Sequence, residues 1–250
     1  MAALTTLPMP AQAFSGVFDA QAQKALRSVG GSLMDRAPEV ASQPPSVGVQ
    51  LGGGPTTAAG KRAPGAPAAD AKVADFRYAP AVSARVRDDI IQMLVDVGKR
   101  QGTLDAVGEK NLREALGKVD IVKSIGGALQ AKGYPLHSVA TASAYWLVIN
   151  YEIVRGVQAT DAQNAAVLRQ MQQRMAATPE MARMSDEQKQ RAAEGMLWIG
   201  TLQYQNHQQA KQGTPGYDMQ AVVADARQAL ADFGIDADRL NLSAEGLVPQ

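Results

Sequence analysis

The chain has 250 residues, enough for one or two domains, and its 25 Lys+Arg against 24 Asp+Glu leave a net charge of +1. That balance gives no electrostatic bias toward nucleic acid, an anionic membrane or an acidic substrate. Cysteine is absent and aromatics make up 5%, which excludes disulfides, Cys-ligated zinc and a Cys nucleophile and argues against a β-sandwich or barrel.

In chain order, residues 1–36 read as a leader or the remnant of an export signal, with a short amphipathic helix over 13–34 carried by Phe14, Val17, Phe18, Leu26 and Val29. Ala11-Gln12-Ala13 is a small-x-small triplet of the kind a signal peptidase cuts, although Lys24 is the first basic residue and residues 2–7 make a short apolar core. Residues 37–75 read as a Pro/Gly/Ala-rich linker, with six Pro and six Gly between positions 37 and 72. Such a segment buries too little apolar surface to offset the entropy of ordering it, so it is expected to be disordered.

From Phe76 the apolar period becomes helical. Ser83 precedes a stripe of Val86, Ile90, Leu94 and Val97, giving a helix to about Arg100. Helices follow over 105–116, over 120–132 with Gly133 and Pro135 beyond it, over 138–155 behind Ser138, and over 160–176 behind Thr160. Ser185 and Gln188 form a capping box for a helix reaching Lys211, and a last helix covers 218–233 and stops at Gly234. Met181 and Met184 fall in a loop on this reading. The pattern predicts an all-α, bundle-like domain over 76–250 with about seven helices, no strand, and loops short enough to make neighbours antiparallel.

Two of these helices are apolar on every side, at Tyr145-Trp146-Leu147-Val148-Ile149 and at Met196-Leu197-Trp198-Ile199. Helices of that kind are buried all round, so the two are expected to form the centre of the domain. The most apolar run, 145–154, carries Asn150 and Glu152 and is far short of the ~20 apolar residues a membrane span requires.

A set of short motifs recurs in a definite order: Phe76-Arg77-Tyr78 with Arg85, the run from His137 to Trp146, Val167-Leu168-Arg169-Gln170, and Ser185 to Gln190 leading into Ala193-Glu194. Gly234-Ile235-Asp236, Leu240-Asn241-Leu242-Ser243 and Gly246-Leu247 close the series. In these residues the chain resembles an uncharacterised family of exported, all-helical proteobacterial proteins catalogued only as a domain of unknown function, over about 76–247. The resemblance implies a helical fold and export. It supplies no activity, ligand or catalytic residue.

Candidate chemistry is sparse. Glu194 lies just before the all-apolar turn, with Trp198 at i+4. A carboxyl held among aromatics could have a raised pKa and act as a general acid, while the commoner role is an ion pair with Arg77, Arg85 or Arg155 that fixes helix register. Trp146, Trp198 and His207 are the binding candidates, each with core packing as its plainer role. His137 and His207 have no ligand partner at i+3 or i+4, and Asp236-Ala237-Asp238 lacks the Gly of a calcium loop, Asn241 standing in its place. No metal or cofactor is expected. Residues 76–250 carry 19 Lys+Arg and 19 Asp+Glu, so no basic stripe for nucleic acid exists. The Gln-rich end at Gln203, Gln205, Gln208, Gln209 and Gln212 reads as a partner face or a solvated helix end. These features favour a non-enzymatic, exported helical module that binds a protein, an envelope component or a small ligand. The alternative is an all-α hydrolase of envelope material with Glu194 as its acid.

Overall fold

The computed structural model describes residues 72–250, so the leader over 1–36 and the linker up to residue 71 lie outside the described residues. The helices are α1 (Pro80–Arg100), α2 (Ala106–Leu116), α3 (Ile121–Ala131), α4 (Val139–Arg155), α5 (Asp161–Ala176), α6 (Pro179–Arg183), α7 (Asp186–Lys211) and α8 (Met219–Asp232). A 3-10 turn (Ala237–Arg239) then leads into a hairpin of β1 (Leu240–Ser243) and β2 (Gly246–Pro249).

Most helix starts obey local capping chemistry. Asp105, Asp120 and Asp218 accept backbone N–H groups of the first turn, and Thr160 with Gln163 and Ser185 with Gln188 each complete a capping box. Two starts differ from expectation. α1 begins at Pro80, which suits a first helical position because its missing N–H would be unbonded there; Ser83 is therefore inside the first turn and its hydroxyl is free for another use. Ser138 occupies the cap position of α4 without a side-chain cap bond. Its backbone instead bridges Asp75, with Phe76 N–H donating to the His137 carbonyl at 3.0 Å and Val139 N–H to that of Ala74 at 2.9 Å. Ala74 is buried, so the packed domain begins ahead of Phe76.

The predicted central pair is present. α4 and α7 share the most extensive helix contact among the described residues, and Trp146 and Trp198 are both buried. The pair is parallel; the expectation of antiparallel neighbours applies to helices joined by short loops, and α5 and α6 separate these two in sequence. Ser143 meets Met196, Trp146 backs Gly200, and Tyr145 meets Thr201, so both chains advance in the same direction. α1 also runs parallel to α7: Ala79 meets Gln190 and Ser83 meets Glu194, while Arg85 meets Glu187 and Asp89 meets Arg191. Returning connections, rather than tight turns, separate these neighbours in sequence. The short link between α7 and α8 does act as expected: α8 lies antiparallel to α4, which is parallel to α7, with the Trp146 and Phe233 rings edge-on at 4.9 Å and Ala226 packed with Ile149 and Ile153.

Two further expectations are corrected. Met181 lies within the one-turn α6 rather than in a loop, whereas Met184 does fall in the extended segment after it; both are buried, as apolar side chains packed into the core. The end of the chain is a hairpin, with Leu242 opposite Leu247 and Asn241 opposite Val248. Two strands alone are marginal in water, and this pair is held by side chains of the helices. Gln170 donates to the Leu247 carbonyl at 2.7 Å and accepts its N–H at 3.1 Å, Gln163 donates to the Leu242 carbonyl at 3.0 Å, and Tyr151 to that of Leu240 at 3.1 Å. Gly246 at the start of β2 has φ +109, and a Cβ there would lie 2.8 Å from the Gln170 side-chain oxygen.

Trp146→Ala should lower stability by roughly 3–5 kcal/mol, seen as a large fall in denaturation midpoint; an unmoved midpoint would refute the central position of α4. Gly246→Ala should cost about 1–3 kcal/mol through backbone strain, and restoring space with Gln170→Ala should not rescue it, since the φ strain remains.

Candidate functional site

Glu194 is not on an ion pair. Its relative exposure is 1%, and one carboxyl oxygen accepts the Ser83 hydroxyl at 2.6 Å and the Gln190 amide at 2.8 Å. The other oxygen is buried without a hydrogen-bond partner. The three arginines proposed for it pair elsewhere: Arg77 with Asp186, Arg85 with Glu187, and Arg155 with Asp238. Burial pushes the Glu194 carboxyl above the usual glutamate range, opposed by the Ser83 and Gln190 bonds. Gln190 also clasps the backbone of Ala79, accepting its N–H at 2.8 Å and donating to its carbonyl at 2.9 Å. The cluster ties the start of α1 to α7, and the carboxyl touches no solvent through which a substrate could reach it.

The remaining candidates separate from one another. Trp146 and Trp198 belong to the core, away from any opening. His207 is half-buried near the end of α7, its imidazole held below the usual histidine range by burial and then by Lys211. His137 stacks on Tyr78 at 5.1 Å. Within the Gln-rich end, Gln203 is buried with both amide atoms unpartnered, so it belongs to the core rather than to the solvated tail. Asp236 caps the 3-10 turn and Asp238 pairs with Arg227 and Arg155, which accounts for the acidic pair without a cation. Among the described residues no three His, Asp or Glu side chains gather as a metal site, and no helix is long and apolar enough to cross a membrane.

The structure does open elsewhere. α3 packs on α7 and stands off from α4, leaving a cleft of about 290 Å³ between them, walled also by α5 and by Tyr204. Its floor is one face of α4: Thr141, Tyr145, Val148 and Glu152 recur at helical spacing over eleven residues, about 16 Å from end to end. Leu129, Ile149 and Leu168 make the middle apolar. Thr141 is 2% exposed and its hydroxyl has no partner. Glu152 is half-buried; burial pushes its carboxyl up, opposed by the Ala159 N–H it accepts at 2.6 Å. The Tyr145 hydroxyl shares a 3.0 Å bond with Thr201, and Tyr204 stays 45% exposed at the rim. Sequence reading passed over this face because Asn150 and Glu152 appear only as interruptions in an apolar run. The spacing of Thr141 and Glu152 on a buried helix was the available signal.

The architecture defines a helical module wrapped around one buried helix, with a narrow apolar cleft along that helix. The chain matches the Family of unknown function (DUF6683) over residues 7–250 and belongs to that family. The match extends ahead of the 76–247 motif region into the leader and the Pro/Gly-rich segment. No curated protein and no solved structure matches the chain.

A carboxyl whose folded pKa is raised costs stability once it ionises, so that cost is absent in acid and complete at neutral pH. Glu194 is such a group, and so is Asp225 on α8, pushed up to about 6 by burial. Asp225→Asn should therefore gain stability relative to the parent as pH rises from about 4 to about 7, and Glu194→Gln should change in the same direction with rising pH. Parallel unfolding curves at both pH values would contradict the burial of these carboxyls.

Proposed function

We propose that this chain is a non-enzymatic, exported module of the bacterial envelope that binds a small ligand of largely apolar body in the cleft between α3 and α4. The observation that carries the reading is the Thr141 hydroxyl, buried without a partner in a residue that lines a cleft with few polar groups. An unpaired buried hydroxyl costs about 1–3 kcal/mol; unlike Glu194, Thr141 belongs to the cleft lining, so a ligand that turns its side chain toward the cleft and bonds it recovers that cost. The cleft lies at the small end of ligand sites in volume and has their usual character of apolar walls with few polar groups. Export rests on the Ala11-Gln12-Ala13 triplet and on the family resemblance of the motifs.

The hydrolase alternative has less support. A general acid must come within hydrogen-bond reach of the group it protonates, and Glu194 has one oxygen bonded and the other enclosed.

A thermal-shift screen of the full chain against small amphiphiles, glycans and common metabolites tests the reading. A cleft ligand at a hundred times its dissociation constant should add about 2.7 kcal/mol, and Ala128→Trp, which places a large ring over the exposed edge of the cleft, should cancel the shift while leaving the unliganded midpoint near the parent value. Hits that survive Ala128→Trp would move the site elsewhere.

A further inference from the structure

The charges around the cleft are not balanced. Lys132 is the cation on its wall, and its ammonium is already bonded to Asp161 at the start of α5. Glu152 is the other charged group of the lining. One of its oxygens accepts the Ala159 N–H, and no protein donor among the described residues reaches the other. With Lys132 neutralised by Asp161, the residual charge facing the cleft is negative. Three tyrosines, Tyr134, Tyr145 and Tyr204, and the neutral Asn164 also line the cleft, and aromatic faces attract cations through their quadrupole, the more so where water is excluded.

These groups lie along an apolar trough, not around a polar basin. Glu152 stands three turns along α4 from Thr141, with Tyr145 and Val148 between them on that helix and Leu129 and Leu168 supplied to the lining by α3 and α5. A carboxylate ligand would meet Glu152 without a free cation to offset the repulsion. A neutral amphiphile would leave the Glu152 carboxylate desolvated and uncompensated. A cation answers both conditions.

We propose that the cleft takes an amphipathic organic cation, a protonated amine or quaternary ammonium on an apolar body, with its charge against Glu152 and the tyrosine faces and its body along Val148, Leu129 and Leu168. This rests on the reading of the cleft as a ligand site and names the chemical class it selects. A polar atom at the far end of the ligand would meet the Thr141 hydroxyl.

The test uses three probes with one tail and different heads, octyltrimethylammonium, octanol and octanoate, titrated calorimetrically into the full chain below their micellar concentrations. The expected result is that octyltrimethylammonium binds at least about tenfold tighter than either of the others. Glu152→Gln should reduce it to the octanol level, and Ala128→Trp should abolish binding of all three. Equal binding of the three probes, blocked by Ala128→Trp, would overturn the charge selection and leave the cleft as an apolar ligand site. Preference for octanoate would overturn it in favour of Lys132. Absence of binding by every probe would overturn the ligand-site reading along with it. Should Glu152→Gln fail to fold, Tyr204→Leu serves instead, since it removes a half-exposed aromatic face and should weaken the ammonium probe more than octanol.

Discussion

A helix with no polar side has to be enclosed on every side, and α4 is that helix. Its residues from Val139 to Ala144 and from Trp146 to Tyr151 are all buried, so the fold is the set of elements that cover it. α7 lies along one flank, α5 and α8 along others, and the 3-10 turn closes its end. A single helix presents room for about that many neighbours at normal interaxial distances of 8–10 Å. The chain supplies them out of sequence order, which is why the main partner of α4 is a parallel helix reached through α5 and α6. The cleft is the one side of this enclosure where the cover draws back: α3 settles on α7 and leaves the Thr141–Glu152 face partly open.

Glutamine side chains do the joining where helices meet irregular backbone. Gln190 holds both backbone groups of Ala79, and Gln170 holds both of Leu247. A primary amide presents one donor and one acceptor in the same plane as a peptide group, so it pairs with backbone as a neighbouring strand would. At the hairpin this satisfies an edge that would otherwise face a helix unpaired. Beside Ala79 it anchors the extended chain just ahead of α1, where Pro80 and Ala79 offer no side-chain cap. Exposed ion pairs such as Arg77–Asp186 add little to this joint, since water and salt screen them. The buried amide contributes more because its partners have no water to turn to.

The helices were legible because their signals are local. Capping boxes at Thr160 and Ser185, aspartates at positions 105, 120 and 218, and glycines past the ends all act within one turn, and the two all-apolar turns announced the centre. What escaped was non-local. The hairpin has two strands of four residues whose stability comes from Gln163, Gln170 and Tyr151, and no period-2 pattern that short distinguishes itself from a loop. The sequence around Glu194 shows a carboxyl in apolar surroundings and points to arginines as its partners, because charge pairs with charge; the actual donors, Ser83 and Gln190, are neutral. The cleft was illegible for the same reason, since it exists by the relative placement of α3 and α4.

Several buried polar atoms lack partners, and their settings differ in a way that bears on function. Gln203 and the second oxygen of Glu194 are enclosed among packed side chains. They weaken the fold and nothing can relieve them without repacking it. Thr141 carries the same kind of cost on the floor of an opening, where a valine would fill the same volume without the unpaired hydroxyl. Glu152 adds a desolvated carboxyl to the same face of the same helix, eleven residues along. Two polar groups retained on one face of the central helix lower its stability, and both belong to residues that line the cleft. Local violations of the packing rules tend to mark sites that serve function at the expense of stability. By that criterion the face from Thr141 to Glu152, rather than Glu194 or the tryptophans, is the one on which the proposed ligand site rests.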